Sequence, residues 1–114
     1  MQLAGHVALV TGASRGIGRA TALALGHRRA AVIVAARTLK PGGRLPGSLD
    51  ETVQALRAAG ADALAVGCDL GDPDSVAQLA ETALRWQGHV DVLVNNAAFL
   101  VAHDGRGQGE QVSA

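Results

Sequence analysis

The chain has 114 residues, with ten basic and ten acidic side chains, 48% hydrophobic residues and no tyrosine. This length fits one modest domain and excludes two independent cores, while the apolar content and balanced charge exclude a disordered chain and argue against a nucleic-acid partner. A single cysteine excludes an internal disulfide, and no apolar run is long enough to span a membrane, so we expect a cytoplasmic protein.

The sequence begins with the pattern of a strand, a glycine-rich turn, a helix and a second strand. The apolar run 6–10 predicts the first strand, which leads into the glycine-rich turn 11–18. The helix is expected to run to about Arg28. One of its faces carries the helically spaced residues Ile17, Ala20, Leu23, Ala24 and His27. The uninterrupted apolar run 31–36 predicts a strand that is covered on both faces, which completes a βαβ unit.

The middle of the chain contains a long loop and a helix with a clear start signal. Residues 38–47 include two prolines and three glycines, which exclude regular structure. Ser48 and Glu51 then match a capping box, in which the serine hydroxyl accepts a hydrogen bond from the glutamate amide. The helix is expected to run to about Ala59 and to stop at Gly60.

Two further strands and one helix follow. Residues 64–68 and 90–94 predict the strands. Between them, Asp72 as N-cap and Pro73 start a helix that ends at Gly88. One face of this helix carries the apolar residues Val76, Leu79, Ala80, Ala83 and Leu84.

The alternation of strands and helices predicts the fold class. The order βαβαβαβ predicts an α/β fold with an incomplete Rossmann-type, doubly wound parallel sheet, of about four strands with three crossover helices. We therefore expect a half-domain of this type over residues 1–100. Residues 101–114 show neither helical nor strand periodicity, so we expect a disordered tail there.

Three glycines at the junction of the first strand and the first helix indicate where a ligand binds. Gly12, Gly16 and Gly18 form the pattern GxxxGxG. A pyrophosphate requires such a turn, because the backbone must be tight and unobstructed and the helix N-terminal amides must face the anion. The alternative is a glycine-rich turn that only packs.

The end of the second strand indicates which dinucleotide binds. An acidic side chain there would accept hydrogen bonds from the adenosine ribose and repel a 2′-phosphate, but residues 35–38 contain no acid. Arg37 offers a guanidinium group to a phosphate, and Arg15 in the glycine-rich turn offers a second. We therefore predict NADP(H) as the cofactor, with NADPH preferred over NADH. The alternative is that Arg37 is only a solvated charge at a strand end.

Three motifs together give the sequence a family resemblance. The strings TGASRGIG at 11–18, CDL at 68–70 and DVLVNNA at 91–97, in this order and spacing, resemble the short-chain dehydrogenase/reductase family over residues 5–98. The resemblance implies the strand order 3-2-1-4 and an oxidoreductase that transfers hydride between a dinucleotide and a carbonyl or alcohol. The loop 39–47 resembles that of the hydroxysteroid dehydrogenase-like branch.

The resemblance also implies roles for single residues at the phosphates and the adenine. Ser14 and Arg15 would contact the ribose phosphate, and the amide of Ile17 would meet the pyrophosphate. Asp69 would accept a hydrogen bond from the adenine amino group, and the amide of Leu70 would bond to the ring. The alternative for Asp69 is an ordinary loop acid near a helix start.

Further implied roles lie after the fourth strand. Asn96 and Ala97 would border the adenosine ribose, and the asparagine side chains would brace the strands against Thr11. The sequence departs from the family at Arg29, where a glycine usually ends the first helix, so we expect a positive φ at a non-glycine residue. Cys68 is expected to be a core residue, and the four histidines lack the spacing of metal ligands.

The residues that would perform the chemistry are missing from this sequence. In the family, a tyrosine general acid acts with a lysine four residues further on, a serine and an asparagine. This chain has no tyrosine, and its one lysine is Lys40 in the loop. We therefore assign no catalytic residue and no metal site, and we expect the 114-residue chain alone to be inactive.

Two hypotheses for the function remain. The first is the NADP(H)-binding portion of a reductase that is truncated before its catalytic residues. A small carbonyl or alcohol substrate would then bind only in a full-length parent, which we expect to be a homo-oligomer without nucleic-acid or membrane partners. The alternative is a non-catalytic dinucleotide-binding or regulatory module that pairs with a partner chain.

Overall fold

The computed structural model describes residues 2–37, 47–96, 98–100 and 111–113. Its main part is a parallel sheet in the order β3-β2-β1-β4. The strands are β1 (Val7–Thr11), β2 (Ala31–Ala36), β3 (Ala63–Gly67) and β4 (Val92–Val94). The connecting helices are α1 (Gly16–His27), α2 (Leu49–Ala58) and α3 (Pro73–Gln87). The predicted α/β fold class and strand order are confirmed.

The central strands are covered on both faces. One face packs against α1 and α2 in a cluster that contains Val10, Val32, Val34, Ala22, Leu49, Val53 and Leu56. The other face packs against α3 in a cluster that contains Val7, Leu9, Ile33, Ala35, Leu79 and Ala83. Because successive strand residues point to opposite faces, the uninterrupted apolar runs of β1 and β2 supply both clusters.

Helix α1, which the helical spacing predicts, packs through small residues. The buried residues are Gly18, Ala22 and Gly26, whereas Ile17, one of the helically spaced residues, is 76% exposed. A Cβ atom on Gly18 would overlap the carbonyl oxygen of Gly12. The helix backbone therefore approaches too closely for larger side chains, and a four-residue spacing of small ones forms the contact.

The ends of α2 and α3 agree with their sequence signals. Ser48 caps α2, because its Oγ accepts a hydrogen bond from Glu51 N at 3.2 Å. Asp72 caps α3 by accepting from Asp74 N at 3.0 Å, and Gly88 ends this helix with φ 86°. The predicted caps are confirmed. Within the described residues, no helix has the length and apolar character needed to cross a membrane.

The residue that follows the C-cap of α1 carries backbone strain. Arg29 has φ 73°, the one positive value at a non-glycine residue in the described part of the chain. Its amide donates to Gly26 O at 3.0 Å and closes the helix end. The predicted left-handed conformation is confirmed, and it costs about 1 kcal/mol for a residue with a Cβ atom.

Strand β4 begins later than the predicted residue 90, because a side chain takes the place of the backbone. Asp91 Oδ2 accepts a hydrogen bond from Val7 N at 2.7 Å, and Asp91 N donates to Val7 O at 2.8 Å. His89 Nε2 lies 3.1 Å from the same carboxylate oxygen. The regular ladder with β1 therefore begins only at Val92, which pairs with Ala8.

A second pair of strands comes from the last part of the sequence. Strands β5 (Ala98–Leu100) and β6 (Gln111–Ser113) pair antiparallel. Residues 111–113 thus differ from the expected disordered tail, because pairing with β5 satisfies their backbone groups. The rest of segment 101–114 and the loop 38–46 lie outside the described residues. The domain boundary at residue 100 stays a prediction.

Candidate functional site

The four parallel strands end along one edge of the sheet, the carboxyl edge. In register, Thr11 lies opposite Ala35 and Val10 opposite Val94, and Ala36 lies opposite Gly67. Open α/β sheets bind ligands at this edge. One predicted site residue follows each strand closely in sequence, namely Gly12, Arg37, Asp69 and Asn96.

The glycine-rich turn joins β1 to α1 at the carboxyl edge. Gly12 and Gly16 have φ values of 64° and 60°, which favour glycine. A Cβ atom on Gly16 would face open space, so the backbone there is accessible to a ligand. Gly18 instead serves close packing, since a Cβ atom on it would overlap Gly12 O. Packing explains the glycine at position 18, and the positive φ explains the glycine at position 16, where the backbone is also open to a ligand.

The N-terminus of α1 has no side-chain cap. Its N-cap residue Arg15 is extended, with φ −163°, and makes no capping hydrogen bond, and the first turn contains no acidic residue. Helices α2 and α3, in contrast, are capped by Ser48 and Asp72. The first amides of α1 therefore keep a partial positive charge, with the 76% exposed Ile17 among them. An anion such as a pyrophosphate fits this position.

Thr11 connects the end of β1 to the residues that follow β4. Asn96 N donates to Thr11 Oγ1 at 3.0 Å, and this hydroxyl lies 3.2 Å from Asn95 Oδ1, to which it can donate. Asn96 Nδ2 lies 3.5 Å from Gly12 O. The expected bracing of Thr11 by the asparagine side chains is thus confirmed for Asn95, whereas Asn96 bonds to the threonine through its amide and its side chain lies at Gly12 O.

Two arginines follow neighbouring strands at the carboxyl edge. Arg15 lies in the glycine-rich turn and Arg37 follows β2 directly, and both residues are exposed. Ala13 N donates to Ala35 O at 3.4 Å, so the turn is attached to the end of β2 just before Arg37. The backbones of these two arginines therefore belong to neighbouring segments of the carboxyl edge. Ser14, between Ala13 and Arg15, is only 5% exposed.

Asp69 has a structural contact of its own. Its Oδ1 accepts a hydrogen bond from Gly71 N at 2.9 Å, and its amide donates to Ser75 Oγ at 3.0 Å. The carboxylate thus shapes the loop between β3 and α3, as an ordinary loop acid would, while the residue stays exposed at the carboxyl edge. Leu70 is partly buried against the α3 cluster, and Ala97 lies outside the described residues.

Two residues contact the glycine-rich turn without any signal in the sequence motifs. Thr52 Oγ1 lies 2.9 Å from Ala13 O, and a Cβ atom on Gly47 would overlap Ser14 O. The capping box predicts α2 and places Thr52 one turn after its N-cap. The contact with Ala13, however, joins residues 39 positions apart, and no local pattern carries that information.

The described residues include no candidate metal site, and their one cysteine is buried. No group of three or more histidine, cysteine, aspartate or glutamate side chains among them could hold a metal ion. Cys68 is 5% exposed, and its Sγ lies 3.7 Å from Ser75 O. The expectation that this cysteine is a core residue is confirmed.

Comparison with known proteins gives matches over nearly the whole chain. The family described as short chain dehydrogenase matches residues 6–112. A versicolorin reductase of Emericella nidulans is 38% identical over 99 residues, covering 87% of this chain and 35% of that protein. Hydroxysteroid dehydrogenase-like protein 2 of Bos taurus is also 38% identical over 99 residues, covering 87% and 24%. The chain thus spans about a quarter to a third of the length of these curated relatives.

Solved structures resemble the described fold as well. A short-chain type dehydrogenase/reductase from Mycobacterium marinum has a TM-score of 0.78 at 34% identity, covering 88% of this chain and 38% of that one. A metagenomic short-chain oxidoreductase in complex with NADP has a TM-score of 0.75 at 43% identity, covering 83% of this chain and 40% of that one. Similarity of this extent agrees with the sheet order described above.

Proposed function

Because the chain belongs to the short-chain dehydrogenase/reductase family, we propose that it is the NADP(H)-binding portion of an oxidoreductase that interconverts a carbonyl and an alcohol by hydride transfer. The observation that carries this proposal is the N-terminus of α1, which has no side-chain cap and begins at the accessible Gly16. The exposed Arg15 and Arg37 support a cofactor with a 2′-phosphate, as does the relative solved with NADP.

The pyrophosphate would lie against the glycine-rich turn. In this proposal the backbone of Gly12 and Gly16 approaches it closely, and the amide of Ile17 donates to it. Gly18 keeps the turn tight against the sheet, because a side chain there would push Gly12 O away. When bound, the dinucleotide supplies or accepts the hydride, and these residues hold and orient it.

The adenosine half would lie along the other strand ends. The ribose phosphate would meet the turn and the end of β2, the adenine would lie near the end of β3, and the ribose near the end of β4. The residues in this order are Ser14, Arg15 and Arg37, then Asp69 and Leu70, then Asn96 and Ala97.

Calorimetric titration with NADPH, of the purified chain and of its Ile17→Asp variant, tests the proposal. Since Ile17 is 76% exposed, an aspartate there disturbs no packing. A carboxylate in the first turn stabilises a helix, and the same carboxylate repels a pyrophosphate at the helix amides. We expect Ile17→Asp to weaken NADPH binding by about tenfold or more, while thermal stability stays equal or rises.

Ala24→Asp is the matched control. Ala24 is exposed on the same helix, and its Cα lies about 10 Å further along the axis, near the screening length in physiological salt. This variant should bind NADPH as the unmodified chain does. Equal losses in both variants, or no NADPH binding by the unmodified chain, would contradict the proposed function.

The proposal places proton transfer outside these 114 residues. Carbonyl reduction needs a proton donor for the developing alkoxide, and the sequence contains no tyrosine. We therefore expect the chain alone to bind the dinucleotide without measurable turnover of any carbonyl compound. The substrate would bind in a longer protein, which we propose to be a cytoplasmic homo-oligomer. The buried free thiol of Cys68 is compatible with that compartment.

The outer side of β4 favours a second candidate function, a non-catalytic dinucleotide-binding module that pairs with a partner chain. Leu93 on β4 is 62% exposed, so a partner chain that pairs with this strand would cover an apolar side chain. Reading the gene onward distinguishes the two candidates. A Tyr-x-x-x-Lys sequence downstream in any frame supports the oxidoreductase, and an authentic stop without it supports the module.

A further inference from the structure

The start of α2 packs directly against the glycine-rich turn. Thr52 is fully buried, and its Oγ1 lies 2.9 Å from Ala13 O and 3.2 Å from Ser48 O. A hydroxyl has one proton to donate, and the shorter distance assigns it to Ala13 O. The side chain thereby joins α2 to a turn that lies far away in sequence.

The residue that enters α2 touches the next part of the same turn. Gly47 has φ 93°, and a Cβ atom on it would overlap Ser14 O and come within 3.1 Å of Arg15 Cβ. Ser48, which follows, is fully buried. Glycine at position 47 therefore lets the backbone before α2 lie directly on Ser14 and Arg15.

Both polar backbone groups of Ala13 are thus held by neighbouring elements. The amide donates to Ala35 O at the end of β2, and the carbonyl accepts from Thr52 on α2. With Ala13 held from two sides and Gly47 packed on the next two residues, the path of the backbone at Ser14 and Arg15 is determined. The backbone that carries the exposed Arg15 side chain is therefore held in place.

We propose that Gly47 and Thr52 are positioning residues that hold Ser14 and Arg15 for the 2′-phosphate of NADP(H). This inference rests on the proposed function. The pyrophosphate is assigned to the amides of α1, whereas the 2′-phosphate is assigned to Arg15 and Arg37. A shift of Ser14 and Arg15 therefore weakens NADPH binding more than NADH binding, and the ratio of the two affinities is the diagnostic quantity.

Gly47→Ala and Gly60→Ala form a matched pair for the first test. Their φ values are 93° and 89°, so an alanine is strained to a similar degree at both. A Cβ atom on Gly60 meets open space, whereas one on Gly47 meets Ser14. We expect both variants to lose thermal stability, Gly47→Ala by more because of this overlap, and the NADPH affinity to fall about tenfold only in Gly47→Ala, with NADH affinity changed less than about threefold.

Thr52 is tested by removing and restoring its hydroxyl. Thr52→Val keeps the shape and removes the donor to Ala13 O, and Thr52→Ser returns the donor. Thr82→Val, at an exposed position of α3, is the control. We expect Thr52→Val to lower the NADPH-to-NADH affinity ratio about fivefold and Thr52→Ser to restore it. Hydrogen exchange at the amides of residues 13–16, measured without cofactor, should accelerate in Thr52→Val alone.

The outcomes separate this inference from the proposed function. If the unmodified chain binds neither dinucleotide, the proposed function fails and this inference fails with it. If the unmodified chain binds NADPH but the affinity ratio and the exchange rates are the same in all variants, the positioning role alone is overturned.

Discussion

Arg37 is exposed at the end of β2, where an acidic residue would select against a 2′-phosphate. Replacing it with aspartate removes the proposed guanidinium partner of the 2′-phosphate and adds a carboxylate that would repel it. We expect Arg37→Asp to weaken NADPH binding by about a hundredfold and to leave NADH binding within about threefold. Titration calorimetry with both dinucleotides measures the difference.

Arg85→Asp provides the control for this change of charge. Arg85 lies on α3, and its side chain is 78% exposed beside Glu81. The two variants change the net charge equally, so they separate a local effect from a general one. A parallel loss of NADPH and NADH affinity in Arg37→Asp would contradict the phosphate role and leave Arg37 as a solvated strand-end charge.

Arg29 is the residue at which backbone strain can be relieved. Its φ of 73° suits glycine, and Arg29→Gly should therefore raise the free energy of unfolding by about 1 kcal/mol. Denaturant unfolding measures the gain. NADPH affinity should not change, because Arg29 follows α1 at the edge opposite to the carboxyl edge. A loss of stability would show that the arginine side chain contributes more than the strain costs.

Among single residues, the sequence predicts those candidate site positions whose backbone requirements are local. Gly12 and Gly16 are recognisable because their positions in the motif require unusual backbone conformations. Ser14, in contrast, is buried against Gly47, and the hydroxyl of Thr52 reaches Ala13 across 39 positions. Such contacts depend on where α2 crosses the turn, which residue pattern alone does not determine.

The contact between α1 and α2 is an element-scale feature that a pair of substitutions can test. A Cβ atom on Gly26 would come within 2.5 Å of Leu56 Cδ2 and 3.2 Å of Ala61 Cβ. Leu56 is fully buried and has little room to move. We expect Gly26→Val to lower the free energy of unfolding by about 1–3 kcal/mol through overpacking.

Shortening Leu56 makes room for the added methyl groups. Leu56→Ala alone should cost about 2–5 kcal/mol by leaving a cavity, and the double variant Gly26→Val/Leu56→Ala should be more stable than the sum of the single effects implies. Denaturant unfolding of all three variants gives the coupling free energy. Simple additivity would mean that the two residues do not limit the approach of the helices.

At the scale of elements, the starts and ends were predictable where a capping signal exists. Ser48, Asp72 and Gly88 each satisfy backbone groups that a helix end leaves open, so α2 and α3 are bounded by their own sequence. The buried face of α1 was not predictable from apolar periodicity, because glycine and alanine form the contact and Ile17 faces outward. Apolar periodicity reports where hydrophobic side chains lie, whereas the buried face of α1 is determined by where its backbone comes close to neighbouring elements.

The whole molecule presents an apolar surface beside its last parallel strand. Among the described residues β4 is an end strand of the sheet, and Leu93 at its centre is 62% exposed. An apolar edge strand of this kind promotes association between chains. We expect the purified chain to self-associate with increasing concentration, as sedimentation velocity would measure.

Leu93→Lys tests the origin of this association. Charged residues on an edge strand oppose pairing with another chain, and Leu93 is too exposed to contribute much to the core. The variant should require about tenfold higher concentration to associate, with an unchanged unfolding midpoint. An unmodified chain that stays monomeric at all concentrations would contradict the prediction, as would equal association of both chains.

The overall topology followed from the alternation of elements, since crossover helices force parallel pairing and the order 3-2-1-4 came with the family resemblance. The hydrogen bonds that set the first residue of β4 could not be predicted from the alternation of elements or from the resemblance. They depend on Asp91, whose side chain bonds to Val7 N across 84 positions.

Asp91 opposes a register shift of β4 relative to β1. The strand has only three residues in its ladder, and a shift by two residues would keep the same side chains on the same faces. Such a shift would move Asn96 by about 6.6 Å along the sheet, which takes its amide out of reach of Thr11. The bond between Asp91 and Val7 opposes that movement, because the shift would leave the Val7 amide unpaired. A carboxylate at the amino edge of the sheet thus fixes the register of β4, and with it the position of the asparagine pair at the opposite edge.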